Sequence, residues 1–387
     1  MPTTLFLHSE IENPYKLYET MLQNPVYWDS VHNLWAVYSY QSCKALLLNS
    51  SAHIPATDDR NTAGLNEYAL LIAGNLARLS NGIRHEMAKH SALLLLNNMK
   101  AIATEDLIEK LIETKNNKHE LDWVESICKK LPLTVVLRSF DFNREDCDFI
   151  LSKTEQLVKI MLPITTPEQV AAINEISKAI YVTAEKILCV TNFYKPLVDM
   201  LSKKYNITPD ETASLLVSNT IGLFIQSYDA GRGILSNSLL QVINNSSIHR
   251  EHFTSKDYVE KNVIETLRFD PPVHNTRRIA GDDIFINNKQ IKKGQSIFIV
   301  LAAANRDPAQ FNDPNIYNPE RPNNAEHLTF GIGGHKCPAN HLSVKLATET
   351  LCYLFERYKT IQLIEKNISY EPIINARLPR QIFISLS

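Results

Sequence analysis

The sequence has no C-x-x-C pair. Its six cysteines, Cys43, Cys128, Cys147, Cys189, Cys337 and Cys352, are scattered, which argues against a disulfide framework and a zinc site and fits a reducing compartment. It also lacks any uncharged run of ~18 apolar residues, the length a membrane helix needs. Residues Met1 to Glu10 show no basic region followed by a long apolar stretch. The expectation is a cytoplasmic protein with no membrane anchor. Charge of one sign is missing too: 40 Lys+Arg face 42 Asp+Glu, a formal net charge of −2. No global field therefore points to nucleic acid or an anionic membrane. Glycine is scarce, 11 in 387 residues, and three of the eleven fall within four positions of one another.

Those three, Gly331, Gly333 and Gly334, lie in the stretch Phe330 to Ala339, which carries Cys337. Glycines permit positive φ and a tight turn, so that several amide N–H groups can converge on one sulfur. Pro338 follows, acceptable at the first position of a helix, and Ala339 to Ala347 has helical apolar spacing. The expectation is that Cys337 caps a helix N-terminus, which favours a thiolate. The plain alternative is a buried structural cysteine after a glycine turn.

The stretch resembles the haem-ligand loop of the cytochrome P-450 family, Phe-x-x-Gly-x-x-x-Cys, with Phe330, Gly333 and Cys337 at those positions. Ala339 stands where the family usually has a second glycine. The resemblance implies a mainly α fold with small β-sheets and one domain over residues 1–387, with haem b between a long distal helix and the cysteine loop. Cys337 would then be the iron ligand. His85 and Lys89 share a helix face at i and i+4 and match the family's propionate-binding His and Arg, with lysine keeping the charge but losing the bidentate fork. Two solvated surface side chains is the alternative reading. Arg278 matches the second propionate anchor, with Arg277 beside it as an ambiguity, and His335 is the third partner.

In chain order, Asn13 to Leu22 reads as an amphipathic helix, and Pro25 to Asp29 with Leu34 to Tyr38 as a hairpin. Tyr40 to Asn49 reads as a second helix and Pro55 to Asn66 as a mobile loop. Ile102 to Tyr205 alternates helical runs with polar breaks, the prolines of Leu162 to Pro167 marking a joint. Thr208-Pro209-Asp210-Glu211 is a capping-box start for a helix running to about Asn244, roughly 50 Å at ~1.5 Å per residue. Its middle, Gln226 to Gly233, is polar and holds two glycines, each costing about 1 kcal/mol relative to alanine in a helix interior. In the resemblance this helix crosses the distal face of the haem. Asp229 stands on the family's acid and Ala230 on its threonine, the alcohol that helps deliver protons during oxygen activation. Gln226, Tyr228, a water or a substrate hydroxyl could take that role. A structural Asp229 paired with a distant Arg or Lys is the alternative.

Glu265-Thr266-Leu267-Arg268 puts a carboxylate and a guanidinium on one helical face. In the family this pair locks with a downstream arginine, here Arg321. Pro271 to Arg278 leads into a sheet, with Pro272, Val273 and Thr276 expected to face the haem pocket. Tyr370 to Ser387 reads as a hairpin around Ala376-Arg377-Leu378-Pro379. The implied activity is a cytochrome P-450 monooxygenase: dioxygen is activated at haem iron and a small organic substrate is oxidised, usually hydroxylated. Electrons would come from a separate ferredoxin and ferredoxin reductase, with Lys89, Lys336 and Lys345 as a basic docking surface. The alternatives are a peroxide-driven or oxidative-coupling enzyme and, in another class, a non-catalytic haem-binding protein.

Overall fold

The computed structural model describes residues 4–55, 64–113, 120–161, 166–245, 253 and 255–387. Most of the expected loop at Pro55 to Asn66 (56–63) and most of the proline joint at Leu162 to Pro167 (162–165) lie outside the described residues. The chain is mainly helical with small sheets and divides into two compact units. One is Met1–His53, Thr104–Leu131 and Ala230–Ser387; the other is Ile54–Ala103 and Pro132–Asp229.

Among the described residues, the regular elements of the second unit are all helices. Its centre is the Pro209–Gln226 helix, against which Glu67–Asn75, Gly82–Asn97, Pro167–Leu188 and Tyr194–Tyr205 pack. The expected capping box starts it: the Glu211 amide donates to Thr208 Oγ1 at 3.2 Å, and the Thr208 amide to Glu211 Oε2 at 2.8 Å. Because helices surround it, the run from Leu215 to Ile225 is buried on every face. Gly222 permits the closest approach, since a Cβ there would lie 2.6 Å from Leu76 Cδ2. Phe142 and Phe224 meet edge to face at 5.5 Å in the same core.

The first unit carries all the described strands. In chain order these are β1 (Val26–Asp29), β2 (Leu34–Val37), β3 (Ala52–His53), β4 (Glu120–Asp122), β5 (Thr276–Ala280), β6 (Ile284–Ile286), β7 (Lys289–Ile291), β8 (Ser296–Ile299), β9 (Ile361–Leu363) and β10 (Phe383–Leu386). A five-stranded sheet runs β1-β2-β8-β5-β3; β4-β10-β9 and β6-β7 form smaller ones. The hairpin expected near residue 30 is β1–β2, with Val26 opposite Val37. β8 lies parallel to β2 and antiparallel to β5, where Arg278 faces Ile297. Strand alternation buries Arg278 and exposes Arg277, separating the two adjacent arginines. The Lys256–Phe269 helix packs on both Arg232–Asn244 and Asn340–Arg357. The expected C-terminal hairpin is present as a Tyr370–Pro379 bridge, with the Glu371 amide donating to the Leu378 carbonyl at 2.9 Å.

Two expectations need correction. The long helix does not run uniformly from Pro209 to Asn244: Ser227–Gly231 is a π-helical turn between Pro209–Gln226 and Arg232–Asn244. Such a turn fits one extra residue into the helix and is frequent at functional positions. The costly glycine at 233 has a packing reason, because a Cβ there would lie 2.3 Å from Pro272 Cβ and 2.6 Å from Leu378 Cδ2. The second correction is that Pro338 does not open a helix. The last helix is Asn340–Arg357, with Ala339 at its N-cap in a bridge-like conformation (φ −96°, ψ 15°), so Cys337 stands two residues before the cap.

Candidate functional site

Gly331 and Gly333 both adopt left-handed backbone, φ +65° and +68°, the use expected of them. A side chain at Gly333 would also press on the Leu47 carbonyl at 3.2 Å. With the chain so turned, the Cys337 amide donates to the Phe330 carbonyl at 2.8 Å and the Gly331 amide to the Leu328 carbonyl at 2.8 Å. The loop thus closes on itself and presents a half-buried Cys337. His335 lies in a short 3-10 turn, Gly333–His335, and the Phe330 ring packs 5.6 Å from that of His327. The Thr329 amide donates to His327 Nδ1 at 3.2 Å, which requires a neutral ring. Burial, helped by the charges of Arg268 and Lys336, lowers the His327 pKa from 6.5 to about 3.

The loop is held from below by buried charge. Arg268 Nε and Nη2 grip Glu265 Oε2 and Oε1 at 2.8 and 2.7 Å, and Nη1 donates to the carbonyls of Asn305 and Pro314 at 2.9 and 3.0 Å. Glu265 also accepts from the Asn318 amide at 3.0 Å and Arg321 Nε at 3.4 Å. Arg321 turns its remaining donors to the carbonyls of Asn312, Asp313 and Ile316. The three charged residues expected from sequence are therefore together and buried, Glu265 and Arg268 at 0% exposure. Asn305 and Thr329 join this cluster to the loop, and sequence reading assigned neither a role. The available signal was a polar Asn305 directly after the small apolar run Leu301 to Ala304.

The other expected site residues fall in separate places. His85 and Lys89 are neighbours on one half-buried face of Gly82–Asn97 in the second unit. His85 Nδ1 donates to the Ala77 carbonyl at 2.8 Å, which fixes the ring's orientation and places a proton on Nδ1. Arg278, in β5, donates through Nη1 to Thr276 Oγ1 at 2.8 Å and the Arg277 carbonyl at 2.7 Å. Gln226 ends the Pro209–Gln226 helix with its Nε2 turned back to the Gly222 carbonyl at 3.1 Å. Asp229 and Ala230 lie in the π turn, half-buried and exposed, at the boundary between the segments of the two units. Val273 and Thr276 are half-buried, whereas Pro272 is buried against the helix at Gly233.

The donor set suits haem. Among the described residues no group of three or more His, Cys, Asp or Glu could hold a metal ion. Cys337 offers one sulfur donor, the ligand type of a haem-thiolate centre. Arg278, a cation, and His335, an N–H donor, lie in the same unit and are of the sort that bind carboxylates.

The cytochrome P450 family model matches residues 235–362. The chain is 25% identical over 367 residues to a putative cytochrome P450 133B2 of Xylella fastidiosa, covering 91% of each. It is 29% identical over 188 residues to the biotin biosynthesis cytochrome P450 of Bacillus subtilis, covering 47% of this chain and 46% of that one. The crystal structure of CalO2 superposes with a TM-score of 0.87 at 16% identity, covering 100% of this chain and 99% of the other. The architecture is the cytochrome P450 fold, with a cysteine loop suited to haem iron. The chain resembles cytochrome P450s over nearly its whole length, and the family model matches its C-terminal part. No helix among the described residues is long and apolar enough to cross a membrane.

Proposed function

We propose that the whole chain is one cytochrome P450 domain acting in the cytoplasm as a haem-thiolate monooxygenase on a small organic substrate. The observation that carries this reading is the closed glycine turn at Cys337, set on buried and fully paired charge. Haem b bound at that thiolate would supply the reductive activation of dioxygen. The protein's part is to hold and steer. Cys337 is the iron ligand, Phe330 fixes its amide, and Arg278 and His335 bind the haem carboxylates. Electrons come from a ferredoxin and its reductase. Lys336 and Lys345 are exposed and offer the cations for docking.

Proton delivery differs from the usual family scheme because Ala230 has no hydroxyl. Asp229 remains, and Gln226, which gives one Nε2 hydrogen to the Gly222 carbonyl, has a second amide hydrogen and its Oε1 to contribute; otherwise an ordered water or a substrate hydroxyl completes the relay. The same alanine favours a second reading, a peroxide-driven or oxidative-coupling enzyme. Steady turnover with ferredoxin, reductase and NAD(P)H, with hydrogen peroxide, or with neither separates monooxygenase, peroxide-driven enzyme and non-catalytic haem protein. The monooxygenase reading expects ferredoxin-driven product, with Ala230→Thr lowering peroxide release on a poor substrate. Product from peroxide alone, with negligible ferredoxin-driven turnover in both variants, would overturn it.

A further inference from the structure

We propose that Asn305, through Thr329, is a positioning residue for the cysteine loop: it transmits the rigidity of the Glu265–Arg268–Arg321 cluster to the backbone that fixes Cys337. The role in ligation rests on the haem-thiolate reading above; the mechanical role does not.

Asn305 is fully buried, at 0% exposure, and each of its polar groups has a defined task. Its amide donates to the Leu301 carbonyl at 2.9 Å and its carbonyl accepts from Arg268 Nη1 at 2.9 Å. Oδ1 accepts from the Leu328 amide at 2.7 Å, and Nδ2 donates to Thr329 Oγ1 at 2.8 Å and the Leu267 carbonyl at 3.3 Å. Thr329 Oγ1 donates onward to the same Leu267 carbonyl at 2.5 Å. The backbone of Asn305 thus belongs to the charged cluster while its side chain belongs to the loop.

The next links are covalent neighbours. Leu328 and Thr329 directly precede Phe330, whose carbonyl receives the Cys337 amide, and the Leu328 carbonyl receives the Gly331 amide. A displacement at 328–329 therefore reaches Cys337 through one residue and one hydrogen bond. The site needs an acceptor toward Leu328 and a donor toward Thr329, which an amide supplies and neither a carboxylate nor an apolar side chain does. Losing it leaves the Leu328 amide buried without its acceptor, and such a group is destabilising where it stands. The lowest-energy response is for the loop to move until that amide finds another partner. The cluster itself keeps its Arg268 contact, because that bond is to the backbone of Asn305.

The test uses the full-length protein in four forms: wild type, Asn305→Ala, Thr329→Val, which keeps shape but not the hydroxyl, and Thr329→Ser, which restores the hydroxyl. Haem-loaded protein is followed by its ferrous carbonyl spectrum, and haem-free protein by hydrogen exchange at the Leu328 and Cys337 amides. We expect Asn305→Ala and Thr329→Val to retain wild-type circular dichroism but to lose the thiolate-type band, near ~450 nm, about tenfold faster. Exchange at both amides should rise by about tenfold in the same variants. Thr329→Ser should behave as wild type. Wild-type persistence and exchange in Asn305→Ala and Thr329→Val would overturn the proposal. If Asn305→Ala does not fold, the Val and Ser pair at position 329 decides it. A wild type with no thiolate band would sink the haem-thiolate reading, while the exchange arm would still judge the mechanical link.

Discussion

Arg268 and Arg377 are both buried in the first unit, at 0% and 6% exposure, yet their surroundings differ. Every guanidinium nitrogen of Arg268 has an acceptor, two on Glu265 and the others on backbone carbonyls. Arg377 donates from Nη2 to the Glu12 carbonyl at 2.9 Å, but its Nε and Nη1 have no hydrogen-bond partner. It is held by its stacking 3.5 Å over Tyr370 and by Asp270 Oδ1 at 3.8 Å. Beside it His8, 1% exposed, has no hydrogen bond at either ring nitrogen and packs edge-on to His274 with ring centroids 4.4 Å apart. His274 is bound by the Tyr18 hydroxyl at 3.0 Å, and Tyr15 donates to Asp270 at 2.5 Å. A saturated cluster has one arrangement of lowest energy and makes a rigid base for a ligand loop. The unsaturated one holds two buried neutral histidines, and with His327 beside the cysteine loop it carries the acid sensitivity.

The saturated cluster should break hardest. Glu265→Ala leaves Arg268 and Arg321 without their carboxylate in a buried site, a loss of about 3–5 kcal/mol. Denaturant unfolding should record it, together with little soluble haem-loaded protein. A variant with normal yield and full haem content would reduce the cluster to an ordinary ion pair.

Acid should act on the other cluster and, through His327, on the cysteine loop. Burial, aided by the charge of Arg377, lowers the His8 pKa from 6.5 to about 3. Burial lowers that of His274 well below 6.5, with His8, Arg377 and Arg306 adding to it. Both folded-state values lie below the unfolded one, so the unfolded chain binds more protons as pH falls through 6.5. The stability these rings confer is full above that pH and is lost progressively toward pH 3. The slope is at most about 1.4 kcal/mol per pH unit for each ring. Urea midpoints from pH 7 to 5 should fall accordingly, and flat midpoints would mean that both rings reach water.

Packing beside the second cluster gives the next effect. Gly233→Ala would set a methyl group against Pro272 and Leu378, an overpacking cost of about 1–3 kcal/mol. Unfolding measurements should find it, whereas the same change at Gly334, which has no atom within 4 Å of an added Cβ, should be milder. The smallest effect has the opposite sign. His8→Leu removes two unpaired buried nitrogens and should stabilise the protein at pH 6 by about 1 kcal/mol, while lowering the acid slope, of which His274 and His327 keep the rest.

The contrast between the clusters also marks what the sequence could disclose. Glu265 and Arg268 are one helical turn apart, so local spacing alone put them on one face. The Thr208 capping box, the β1–β2 hairpin and the positive-φ glycines at 331 and 333 are likewise short-range patterns with local physical causes. His8 and His274 are separated by most of the chain, and no local rule pairs them. Asn305 looked like one polar residue in a turn because its partners, Arg268, Leu328 and Thr329, come from other segments. The π turn at Ser227–Gly231 escaped because one inserted residue barely alters the apolar spacing of a helix buried all round. Pro338 misled for a related reason: proline is tolerated in a turn as readily as at a helix start, and Ala339 takes a non-helical conformation.

The claim on which the rest depends is that Cys337 ligates haem iron. Reduced, carbon monoxide-treated protein should absorb near ~450 nm, as thiolate ligation requires. Cys337→Ala should abolish that band, and Cys352→Ala, in the Asn340–Arg357 helix, should leave it intact. A histidine-type band in freshly folded wild-type protein, or a thiolate band that survives Cys337→Ala, would contradict the account.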